Sequence, residues 1–186
     1  MKLHKNLFRI TALAAMALMF AFSARMVSAQ SADSKEISNL LALAKSHAVE
    51  AEDDAADLDS FARSQLHWRS HLVKLEQIRS HINSLGQIHK ELMDKRSEGA
   101  PWQQKAVDQI DPLIREMAAL LTTTINHFNE NPSRIHFQAY REYAHSNYEV
   151  ASKTSRMIRD LVDYDEAKSK AESFEAQLEL PTVDKN

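Results

Sequence analysis

The chain has 186 residues, with 23 Lys+Arg against 26 Asp+Glu, nine histidines, two glycines, four prolines and no cysteine. The absence of cysteine excludes disulfides and covalent c-type haem, so stability must come from packing. Two glycines and four prolines are too few for sheets and their turns, which predicts an all-α fold.

Residues 1–29 have the form of a cleaved signal peptide. Lys2, Lys5 and Arg9 make a basic start, Ile10 to Phe22 is a run of low polarity, and Val27-Ser28-Ala29 ends in small residues, which places cleavage before Gln30. The run is 13 residues long, short of the roughly 20 needed to cross a bilayer. Release to the periplasm or the medium is expected, with no membrane anchor after cleavage. The leader holds four of the 23 basic residues and none of the 26 acidic ones, leaving a mature net charge of −7. That is a poor footprint for nucleic acid, which needs a basic surface.

One helical domain is expected over 30–180, followed by a polar tail at 181–186. A first helix begins at Asp33, whose carboxylate caps the backbone while Glu36 reaches back. Its apolar face is Ile37, Leu41, Ala44, Ala48, Ala51, Ala55 and Leu58, in steps of three and four. The acidic run Glu52 to Asp59 is the expected break; a single helix from Asp33 to Lys95, giving three long helices, is the alternative. The second helix carries the strongest pattern in the chain. Phe61, Trp68, Leu75, Ile82 and His89 recur every seven residues, with Ser64, His71, Ile78, Leu85 and Leu92 three residues later. This is the a/d seam of a helix packed lengthwise on others. Gly86 inside it points to a close helix crossing.

Pro101 opens a third helix. Its face is Trp102, Ala106, Ile110, Leu113, Met117, Leu120, Thr124 and Phe128, widened by Val107, Ile114 and Leu121. Pro112 should kink but not end it. A fourth helix from about Phe137 to Leu178 has Tyr140, Tyr143, Val150, Met157, Leu161, Tyr164, Ala171, Phe174 and Leu178 as its expected inward face. Short connections make sequential helices antiparallel, so the expected architecture is an elongated up-down-up-down four-helix bundle with coiled-coil-like packing. Such packing also allows homo-oligomers.

The segments SQLHWRSHLVKLEQIRSHINSLG, APWQQKAVDQIDPLIREMA and YREYAHSNYEVASKTSRMIRDLVDY resemble an uncharacterised family of exported bacterial helical proteins with no known activity. The resemblance implies helices and a leader, and no function.

Eight histidines lie outside the leader. His67 and His71 are spaced i,i+4 on one helix face, yet the segment His-Trp-Arg-Ser-His lacks the glutamate of zinc peptidases. Glu142 and His145 have the Glu-x-x-His spacing of di-iron bundles, which need it twice; here it occurs once. A haem held by Met93, Met117 or Met157 with a histidine is the remotest alternative. In an up-down-up-down bundle, one end collects His67, His71, His127, His136 and His145 among aromatic residues. No catalytic constellation emerges, and the chain reads as no enzyme. The leading expectation is a non-enzymatic exported module that binds a protein or another envelope macromolecule through Trp68, Tyr140 and Tyr143, without a cofactor. The alternative is a divalent-metal protein holding Zn, Cu or Ni at His67, His71, His145 and Glu142.

Overall fold

The computed structural model describes residues 33–178. The expected signal peptide with its cleavage site and the expected tail at 181–186 lie outside these residues. Four helices follow one another: α1 Lys35–Ala62, α2 Trp68–Lys95, α3 Pro101–Glu130 and α4 Gln138–Leu178, with 3₁₀ turns at Arg96–Glu98 and Pro132–Arg134. Each packs on its neighbours in the cycle α1–α2–α3–α4–α1, so the chain is an all-α four-helix bundle. No helix among the described residues is long and apolar enough to cross a membrane.

The cap of α1 is Ser34, whose hydroxyl accepts from Ile37 N, not Asp33. Asp33 is drawn off by other helices: it accepts from Trp102 Nε1 at 2.9 Å and from Lys168 Nζ at 2.6 Å. These two contacts turn the Asp33 carboxylate away from the helix end and tie α3 and α4 to the start of α1. Buried Gln103 fastens the same end, donating to Ser34 O and Ser38 Oγ and accepting from Ser34 N and Ala100 N. A buried amide this well bonded carries no desolvation penalty.

Residues 33–95 form two helices as expected, not the single helix of the alternative, but the break lies later than expected. The acidic run does not break α1, and the chain does not continue as one helix to Lys95; it reverses at 63–67. Three of the acids pair with cations of neighbouring helices: Asp54 and Asp57 each accept from Lys74 at 2.8 Å, and Glu52 accepts from Arg159 at 3.1 Å. With these charges paired, the helix runs on to Ala62. In the reversal, Ser64 Oγ donates to Phe61 O, and His67 caps α2 by accepting from Arg69 N at 3.3 Å.

The seam of α2 survives in its middle. His71, Leu75, Ile78, Ile82, Leu85 and Leu92 are buried, while Trp68 is exposed and Phe61 and Ser64 belong to α1 and the turn. Each buried Leu or Ile contributes about 1.5–3 kcal/mol. Gly86 is not at a helix crossing: a Cβ there would meet nothing within 4 Å. Helix α3 continues through Pro112 with its expected face buried, apart from partly exposed Trp102 and Leu120.

The inward face of α4 differs from expectation. Ala144, Asn147, Ala151, Thr154, Ser155, Ile158, Val162 and Asp165 are buried with Tyr140 and Val150, whereas Tyr143, Met157 and Leu161 are only partly covered and Tyr164, Ala171, Phe174 and Leu178 are exposed. The cause is the alanine face of α1. A helix of Ala44, Ala48, Ala51 and Ala55 leaves little depth, so small residues of α4 meet it and larger ones are turned to the flanks. Asn147 is satisfied inside by donating to Thr124 Oγ1 at 2.6 Å and to Tyr143 O at 2.7 Å.

Candidate metal centre

At the α1–α2 and α3–α4 turns, the four expected ligands do not converge. His67 is spent on capping α2 and lies against Trp68, ring centroids 5.4 Å apart. His71 is fully buried between Phe61 and Tyr140, its Nδ1 3.2 Å from the Tyr140 hydroxyl and its Nε2 without a partner. Burial, and secondly the nearby His136, hold its pKa below the ordinary histidine value. Burial likewise pushes the Tyr140 hydroxyl upward. His145 is half-exposed, with Asp59 and Glu149 carboxylate oxygens each at 3.5 Å. Glu142 accepts from Gln138. The i,i+4 spacing of His67 and His71 fails because position 67 precedes the helix, so the two side chains do not share its face.

The partner-contact candidates separate as well. Tyr140 is a core residue, 0% exposed, and presents no ring to solvent; Tyr143 is partly covered, its ring tilted against that of His127 with centroids 5.0 Å apart. Trp68 alone is at the surface, beside a hollow of about 450 Å³ lined by Trp68, Leu72, Phe128, Asn129 and Pro132.

A different set does converge, on the flank between α1 and α2. Among the described residues, His47, Glu50 and His81 are the one group of three or more candidate ligands whose atoms all lie within 4.8 Å of one another. His47 Nδ1 and His81 Nδ1 are 3.3 Å apart, and Glu50 Oε2 lies 3.4 Å from the first and 3.1 Å from the second. His47 and Glu50 sit one turn apart on α1, which puts both side chains on one face. His81 comes from α2, four positions before buried Leu85 and one before buried Ile82, so its ring emerges at the edge of the seam. The three are partly exposed, at 33%, 51% and 21%, so an ion can reach them from solvent.

The surroundings favour a cation. Asp54 Oδ2 lies 3.4 Å from His81 Nε2, and Lys74 holds Asp54 from the other side. The hydrogen bonds to Asp54 and then Asp57 raise the Lys74 pKa and keep the ammonium charged. Two imidazole nitrogens and one carboxylate oxygen suit Zn, Cu or Ni and are wrong for Ca or Mg. The sequence does carry a signal for this set, His47-Ala48-Val49-Glu50, a His-x-x-Glu on one helix face.

No protein-family model, curated protein or solved structure matches this chain.

Proposed function

We propose that the chain is an exported, non-enzymatic helical bundle that binds one divalent transition-metal ion at His47, Glu50 and His81. The observation that carries this reading is the near-equilateral triangle of three ligand atoms, with edges of 3.1–3.4 Å. The basic, apolar and small-residue segments of the leader support export. Calorimetric titration of untagged mature protein with zinc should give a one-to-one event, lost in His47→Ala and in His81→Ala. It should persist in His67→Ala and His145→Ala, which the fold keeps apart. Binding to the folded state alone adds about 2.7 kcal/mol of stability at free zinc 100-fold above Kd. No heat from wild type, or loss with His67→Ala, would sink the reading.

Exposed Trp68 beside its apolar hollow supports a second reading, a protein contact at the turn end. A photo-crosslinker at position 68 should then trap one envelope protein, and the same group at exposed Val73 should not.

A further inference from the structure

The triangle of donors also constrains which ion fits and which neighbours matter. Ligand bonds of about 2.0–2.1 Å to zinc, arranged tetrahedrally, separate neighbouring ligand atoms by about 3.3–3.4 Å. Square-planar or octahedral bonds of the same length bring adjacent ligands to about 2.8–3.0 Å. Two edges here, 3.3 and 3.4 Å, match the tetrahedral separation, and the third, 3.1 Å, lies just above the planar and octahedral range. Three corners belong to the protein, and half-exposed Glu50 leaves room for a solvent ligand at the fourth.

Both histidines offer Nδ1, which demands that each carry its proton on Nε2. For His81 a carboxylate oxygen, Asp54 Oδ2, lies 3.4 Å from that nitrogen. Asp54 is itself only 13% exposed and is held by Lys74 at 2.8 Å, whose ammonium also reaches Asp57. A carboxylate behind a ligating imidazole fixes the ring and its tautomer and increases its basicity. Asp54 cannot be a ligand to the same ion through this contact, because it lies on the opposite edge of the ring.

We infer that the centre takes a tetrahedral, zinc-type ion through Nδ1 of His47 and His81 and a Glu50 oxygen, with Asp54, pinned by Lys74, as the residue that positions His81. This rests on the metal reading above and adds the ion class, the ligating atoms and the supporting pair.

The test reads the imidazole protons and the bound ion. In the zinc-loaded mature protein, imidazole ¹⁵N spectra should show His81 bound through Nδ1, with an Nε2–H proton that exchanges slowly with water. Asp54→Ala should speed that exchange, while His47 keeps its spectrum. Cobalt(II) in place of zinc should give the intense visible bands of a four-coordinate ion. Asp54→Ala should weaken zinc binding about 10–100-fold, and Lys74→Met, which leaves every ligand and Asp54 in place, should weaken it by less. Lys74→Met also carries the test should Asp54→Ala fold poorly. Weak six-coordinate cobalt bands overturn the ion class. Unchanged His81 exchange and unchanged affinity in both variants overturn the positioning role. No uptake of zinc or cobalt by wild type overturns the metal reading itself, an outcome distinct from either of these.

Discussion

The two glycines of the chain should respond to alanine with opposite signs. Gly86 lies inside α2, nine residues before its end at Lys95, exposed, with no atom within 4 Å of an added Cβ. Only the intrinsic helix penalty acts there, so Gly86→Ala should stabilise by about 0.8–1.0 kcal/mol, or about 2–4 °C in a domain of this size. At Gly99 the backbone is extended, with φ −83° and ψ 157°, which any residue adopts, so space alone decides. A Cβ would sit 2.6 Å from Ile37 Cδ1 and 3.1 Å from Gln103 Cβ. Ile37 is 0% exposed and has no solvent to yield into. Overpacking of about 1–3 kcal/mol outweighs the chain-entropy gain of about 0.4–1 kcal/mol, for a net loss of about 1–2 kcal/mol. Ile37→Val removes the opposing methyl group and alone costs about 0.5–1.5 kcal/mol. The double variant Gly99→Ala with Ile37→Val should therefore be at least about 0.5 kcal/mol better than the sum of its parts. Urea unfolding of the four variants followed by circular dichroism measures all of this. Shifts of the same sign at both glycines, or an additive double variant, would refute the packing argument.

Two further outcomes follow from burial. Ile82, 5% exposed, sits in the middle of the surviving seam; Ile82→Ala should cost about 2–5 kcal/mol in chemical denaturation, against under about 0.5 for Val73→Ala at 56% exposure. Equal midpoints would mean that the seam register is wrong. His71 has its folded pKa lowered by burial and by His136, so the unfolded state binds more protons: its contribution is present above the unfolded value of about 6.5 and is lost as pH falls through the lower folded value. Stability should fall on acidification from about pH 7 to 5, and His71→Leu combined with Tyr140→Phe, which leaves no orphaned hydroxyl, should flatten that profile. An unchanged profile would assign the acid sensitivity elsewhere.

Helix number and type were legible because they depend on composition and on three/four spacing, both visible in one dimension. The faces of α2 and α3 were legible too, since large apolar residues there have no competitor for the interior. The face of α4 was not. Met157, Leu161 and Tyr164 form a more hydrophobic stripe than Ala151, Thr154 and Ser155, yet the latter are buried. Depth decides this, and depth is a property of the opposing helix. The alanine face of α1 is visible in the sequence, but its consequence for α4 needs the pairing of the two helices, which no local pattern contains. Buried polar groups were invisible for the same reason: Gln103 and Asn147 find their partners across the bundle.

The candidate site was lost through one error of about ten residues, and the geometry shows how. Antiparallel neighbours pair residues mirrored about the turn that joins them. The α1–α2 reversal is centred on Ser64: His47 and His81 each lie 17 residues from it, and Asp54 and Lys74 each lie ten. A break at Glu52–Asp59, centred on Ala55, would set His47 opposite residue 63 and send His81 to the far end of the bundle. The acids that suggested that break are the ones that hold Lys74 and flank His81, so the same residues hid the site and build it. Ser64 and His67, which stabilise the true reversal through Phe61 O and Arg69 N, read in sequence as one seam position and one metal ligand. Once their capping roles are recognised, the turn moves, the mirror moves with it, and His-x-x-Glu on α1 acquires its third ligand on α2.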